Sequence, residues 1–134
     1  MLDSEYSLLI YLNMARVAKQ QLKMPEHSRW KLLAVVTAHN LSLGPLANYC
    51  RQQILNNNPG HILGRFPSIE EALLNADFMY FMGQTRRSYS IENAEAELEK
   101  RQIDYQQDLI DAGDVENYLS KLLGVEYTWV LEHF

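Results

Sequence analysis

Apolar residues in this sequence recur mostly every three or four positions, in segments separated by its four prolines and six glycines. This spacing places apolar side chains on one face of an α-helix, while proline and glycine mark where helices begin or end. The sequence therefore predicts an all-α fold, a compact bundle of five to six helices. Its length suits a single helical domain spanning residues 1–134.

The first two predicted helices lie on either side of Pro25. Residues 4–23 form the first, because the proline ring clashes with a preceding helical turn. The second begins after Ser28, a candidate N-cap, and ends near residue 40. Its run from Trp30 to Ala38 is apolar on all sides, so the periodicity also allows a buried strand there.

The third predicted helix, residues 45–56, begins at Pro45, a residue favoured in the first helical turn. The fourth begins with a capping box, in which the Ser68 side chain accepts the Glu71 backbone N–H. It is expected to cover residues 69–82 and to end at Gly83.

The last third of the chain is expected to form two further helices. Ser90 is a candidate cap for a helix that continues to Gly113, and Asp114 for the next one. The final helix either continues through Gly124 or ends there, followed by an extended segment from Val125 to Leu131.

Charge is divided unevenly along the chain. Residues 1–67 carry seven Lys and Arg against three Asp and Glu, whereas residues 68–134 carry five against fourteen. We expect the acidic helix to lie beside the basic N-terminal region, in one subunit or between two. The side chains of Glu95, Glu99 and Asp108 on that helix are expected to face water. The net charge of −5 opposes general binding to nucleic acid or anionic membranes.

Metal and nucleophilic chemistry have few candidates. The possible zinc ligands are His27, His39, Cys50 and His61, but their separations lack the close spacing of metal motifs. An enzyme site built on His39, Asn40 and His61 is a less favoured alternative, since no nucleophile motif accompanies them. Cys50 falls on an inward helical stripe, where a thiol is inert. We expect no catalytic residue, no metal and no cofactor.

Anion binding has four candidate residues near a predicted helix end. Arg86 and Arg87 are adjacent, Tyr89 follows them, and Arg65 belongs to a preceding loop. Arginines grip phosphate and a tyrosine ring stacks on a base, so this group suggests an anion or nucleic-acid site. The alternative is that both arginines neutralise the carboxyl end of a helix.

Protein binding is the function that the sequence favours, because two helices carry more apolar side chains than one core commonly needs. The candidate interface residues on these helices are Leu9, Leu12, Phe78, Phe81 and Met82. The chain is therefore expected to be a small non-enzymatic protein that binds another protein or itself, in the latter case as a homodimer. With one cysteine, no secretory signal and no membrane segment, a cytoplasmic location is expected.

Overall fold

The computed structural model describes residues 4–134, where every regular element is a helix and no strand occurs. This confirms the all-α prediction. Nine α-helices occur there: α1 Glu5–Gln20, α2 Met24–Asn40, α3 Gly44–Asn57, α4 Ile69–Leu73, α5 Ala76–Ser88, α6 Ile91–Lys100, α7 Tyr105–Ala112, α8 Val115–Leu123 and α9 Tyr127–His133. A 3-10 helix, Ile62–Arg65, lies between α3 and α4. No helix in this range is both long and apolar enough to cross a membrane.

Helix α2 is the centre of the fold. It packs against α1, α3 and α5, and of residues 27–38 only Arg29 is exposed. Neighbours on several sides explain why its sequence is apolar all round. The segment from Trp30 to Ala38 is part of this helix, so the alternative of a strand there is wrong. The predicted N-cap at Ser28 is wrong, because Pro25 occupies the first turn and α2 begins earlier, at Met24.

The predicted helix 69–82 is two helices, because Asn75 starts a new one. Its Oδ1 atom accepts the backbone N–H of Phe78 at 3.0 Å, which caps α5. Helix α5 then continues past Gly83 to Ser88, so the predicted end at Gly83 is also wrong. The cap at Ser68 is confirmed, with its Oγ accepting the Glu71 N–H at 3.2 Å.

The predicted helix 91–113 is also divided, by a corner at residues 101–104. Gln102 adopts φ 60°, and the N–H of Ile103 donates to the carbonyl of Leu98 at 2.9 Å. This is the hydrogen bond of a Schellman motif, which ends a helix at a left-handed residue. Asp104 then caps α7 by accepting the N–H of Gln107 at 3.0 Å.

Helices α1 and α2 end with the same kind of hydrogen-bonded turn as α6. Leu22 and Ser42 have φ of 59° and 62°, and the residue after each bonds back to the helix as Ile103 does. The chain therefore makes three similar turns without glycine.

Gly124 ends α8 in the left-handed conformation, with φ 74°. The continuous last helix is therefore wrong, and so is the extended segment from Val125 to Leu131, because α9 follows. These divisions raise the helix count above the five to six predicted.

The hydrophobic core lies between α1, α2 and α3 and is closed by α5, α6 and α8. Phe78 of α5 is fully buried, with its ring 5.9 Å from that of Phe66. Burying such a side chain contributes roughly 1.5–3 kcal/mol. A buried polar contact joins α1 to α8, because Asn13 donates from Nδ2 to Tyr118 Oη at 3.0 Å and to the Leu9 carbonyl at 2.9 Å.

Candidate functional site

The predicted interface residues lie mostly inside the fold. Leu9, Leu12, Phe78 and Met82 are buried in the core, where a partner cannot reach them. Phe81 is half-buried, and its ring meets the edge of the His61 ring at 6.1 Å. The apolar surplus of α1 and α5 is therefore taken up by several neighbouring helices, and these five residues form no docking surface in this structure.

Tyr89, one of the four anion-binding candidates, is held by α2. Its hydroxyl accepts a hydrogen bond from Arg29 Nη1 at 2.8 Å, and its ring meets Trp30 edge-on at 5.0 Å. The Arg29 guanidinium carbon lies 5.5 Å from the centre of the same ring, within the range of a cation–π contact. Tyr89 thus attaches the end of α5 to α2.

The three candidate arginines are all exposed. Arg86 and Arg87 belong to the last turn of α5, where positive charge complements the helix dipole. Arg65 ends the 3-10 helix Ile62–Arg65. The hydrogen bonds and ring contacts of Tyr89 within residues 4–134 join it to Arg29 and Trp30 and to none of these three arginines.

The histidines proposed for an enzyme have separate structural roles. His61 caps the 3-10 helix by accepting the Leu63 N–H at its Nδ1 atom, at 3.1 Å, and burial lowers its pKa. His39 lies near the exposed Glu70, with Nδ1 3.7 Å from Oε1. The pKa of Glu70 is lowered by a hydrogen bond from its own backbone and, to a smaller extent, by the charge of His39.

Cys50 is enclosed in α3 and is fully buried. Burial raises the pKa of its thiol to about 11, so the thiol stays protonated at neutral pH. Among residues 4–134 no three His, Cys, Asp or Glu side chains are grouped so that they could hold a metal ion.

A groove opens at the corner between α6 and α7, with a volume of about 510 Å³. Its lining residues are Glu95, Leu98, Glu99, Gln102, Ile103, Asp104, Tyr105 and Gln106. We call it the acidic groove, because three of these side chains are carboxylates and none is basic. Leu98 is buried beneath it, and Ile103 and Tyr105 are half-buried, which gives the groove an apolar floor.

An aromatic pair extends the acidic groove toward α1. The Tyr105 ring meets the Tyr6 ring edge-on at 6.1 Å, and half of Tyr6 is exposed. Burial raises the pKa of Tyr105, and the negative charge of Glu95 raises it further. The phenol of Tyr105 thus lies within reach of the Glu95 carboxylate.

Sequence analysis predicted only that Glu95 and Glu99 face water, and both side chains are indeed exposed. It missed the groove because a continuous helix would spread these carboxylates along one straight surface. Asp104, a good N-cap residue inside the predicted helix, was the signal for the corner.

Comparisons with known proteins identify no relative: no family model, no curated protein and no solved structure matches this chain.

Proposed function

We propose that this chain is a non-enzymatic protein-interaction domain, and that its acidic groove binds a partner segment carrying an apolar side chain flanked by Lys or Arg. The observation that carries the proposal is the combination of an apolar floor with three rim carboxylates and no basic lining residue. An apolar side chain gains by leaving water for such a floor, and flanking cations match the rim.

The charges at the rim determine how binding should depend on salt. Exposed carboxylates raise the association rate of a cationic partner more than they hold it once bound. Screening shortens their reach to about 10 Å at 0.1 M salt. Affinity for a basic peptide is therefore expected to fall as salt is added, and an uncharged peptide with the same apolar residue should bind weakly at any salt concentration.

A second copy of this chain is one partner with suitable charge, because residues 1–67 carry the basic excess. Helix α6 packs on α1 within one chain, yet no ion pair joins them: the two ion pairs in residues 4–134 are His39–Glu70 and Arg101–Glu97. Within residues 4–134 the basic side chains of the N-terminal half thus form no ion pair with α6, and a homodimer is part of the proposal.

Light scattering separates the two kinds of partner. A dimer that dissociates as salt is raised supports self-association, whereas a monomer that still binds the basic peptide supports a different protein as partner. A monomer that binds no basic peptide at low salt contradicts the proposal.

The groove itself is tested by fluorescence anisotropy with a labelled Lys/Arg–Leu peptide and the double variant Glu95→Gln/Glu99→Gln. Loss of two rim charges should weaken binding about tenfold, or ~1.4 kcal/mol. The matched control is Glu116→Gln/Glu132→Gln, which removes the same charge from exposed positions on α8 and α9. Equal weakening in both variants would show a general charge effect and would refute the groove as the binding site.

A further inference from the structure

A second cavity, separate from the acidic groove, lies where α1, α2 and α3 meet and has a volume of about 190 Å³. Its lining is polar throughout: Lys19, His27, Lys31, Gln53, Asn56 and Asn57. Two of these residues are lysines and none is an acid. We call it the Lys31 cavity.

Lys31 is the unusual member of this group. The residue is 6% exposed, in the middle of the buried helix α2, and within residues 4–134 its ammonium has neither a hydrogen bond nor an ion pair. Burial lowers its pKa, while nearby Cys50 raises it and Lys19 lowers it. A buried cation without a counter-charge is costly, and buried charges in proteins are commonly paired. The Lys31 cavity is the space from which a counter-anion could reach it.

His27 contributes a hydrogen-bond acceptor. Its Nδ1 atom lies 2.8 Å from the Ala15 carbonyl, which only accepts, so Nδ1 carries the proton. Burial lowers the pKa of His27 and favours the neutral ring, which leaves Nε2 with a lone pair.

The Gln53 amide lines the cavity, but its oxygen is enclosed in the wall, where an ion in the cavity does not reach it. Its Nε2 donates to the Tyr49 hydroxyl at 2.8 Å, whereas its Oε1 is buried and receives no hydrogen bond in residues 4–134. Leaving a buried acceptor without a donor is unfavourable. Asn56 offers a donor, because its Oδ1 is occupied by Gln52 at 2.8 Å and its N–H₂ is left to donate.

We propose that the Lys31 cavity binds a small oxyanion that still carries a hydroxyl proton, with hydrogenphosphate as the representative ion. Its charged oxygens accept from the ammonium groups of Lys31 and Lys19, and its O–H donates to His27 Nε2. The cavity volume corresponds to about six water molecules at ~30 Å³ each, which is room for such an ion.

Sulfate distinguishes this proposal from general anion binding. It resembles phosphate in size and shape, but at neutral pH it has no proton to donate. An ion held only by lysine charge would bind equally well as either species, whereas the neutral His27 Nε2 acceptor favours phosphate.

The test is calorimetric titration of the full chain with phosphate and with sulfate, near neutral pH and at constant ionic strength. We expect phosphate to bind about tenfold more tightly than sulfate, the ratio that one buried hydrogen bond provides. Lys31→Met should abolish binding while circular dichroism stays helical. The control is Lys23→Met, an exposed lysine that does not line the cavity.

Lys19→Met keeps the test independent of the buried position, because Lys19 is exposed and its loss leaves the core intact. This variant should weaken phosphate binding severalfold. Absence of phosphate binding, equal affinity for sulfate, or binding unchanged in both cavity variants would each overturn the proposal. None of these results bears on the acidic groove, because the two sites share no residue.

Discussion

Two buried histidines should make this protein lose stability in mild acid. His27 and His61 are 3% and 8% exposed, and their pKa values lie below the ordinary value of 6.5. Burial is the main cause at both positions, and Lys31 and Lys19 add repulsion at His27. In the unfolded chain both rings take up a proton below pH 6.5, whereas in the folded chain they resist it.

Proton linkage determines how much the free energy of unfolding changes with pH, and in which direction. When the unfolded state binds more protons, the free energy of unfolding falls as the pH is lowered. The loss starts near pH 6.5 and ends once the pH falls below the folded pKa of each ring. At pH 5.5 each histidine can remove at most ~1.4 kcal/mol, and the pair at most ~2.8 kcal/mol, which is a large part of the 5–15 kcal/mol typical of a domain.

Urea unfolding monitored by circular dichroism, at about pH 7.5 and 5.5, measures this loss directly. The double variant His27→Asn/His61→Asn places an amide, which cannot titrate, where the bonding Nδ1 atom of each ring lies. It should show little change in stability between the two pH values. The reasoning fails if the natural chain is equally stable at both, or if the variant retains the full dependence.

Three further results are expected, one each at Cys50, Leu22 and Gly124. Cys50 of the folded chain should resist a thiol-specific reagent near pH 8, because its thiol is fully buried and has a pKa of about 11. The same thiol should react once the chain is unfolded in urea. Rapid labelling of the folded chain would contradict the burial of Cys50. Leu22→Gly should raise the free energy of unfolding by about 0.5–1 kcal/mol, because Leu22 is 85% exposed and has φ 59°. Gly124→Ala should lower the free energy of unfolding by about 1 kcal/mol, because Gly124 has φ 74°. Shifts of the same sign in urea unfolding would be inconsistent with backbone strain at these positions.

Helix starts were the part of the fold most accessible from the sequence. Ser68, Ser90 and Asp114 each accept a backbone N–H three residues ahead, as predicted. A cap depends on a side chain and the backbone beside it, so its chemistry is visible in a few residues. The all-α class was likewise accessible, since helical periodicity extends over long segments.

Helix ends were less accessible, because three of them use a left-handed residue other than glycine. Leu22, Ser42 and Gln102 hold conformations that their side chains disfavour, so the residue type at these positions gives no signal for a helix end. The acidic groove was missed for this reason, since it exists only because the chain turns at Gln102.

The Lys31 cavity was missed for a different reason. A lysine within an apolar run is commonly taken to reach solvent with its ammonium. The burial of Lys31 depends on how α1, α2 and α3 pack together, which the residue spacing within one helix does not show. The pattern did contain a signal, because Lys31 is the one charged residue between Trp30 and Ala38.

The division into long and short helices has a consequence for the order in which the protein opens. Helices α1, α2 and α3 have 16, 17 and 14 residues, whereas α6, α7, α8 and α9 have 10, 8, 9 and 7. Isolated helices shorter than about 12–15 residues are marginal in water, so the four C-terminal helices depend on docking to the first three. Amide hydrogens in α6–α9 should therefore exchange through partial openings that leave the N-terminal three-helix core closed. Both walls of the acidic groove belong to this less stable part, so a bound partner should slow exchange there first.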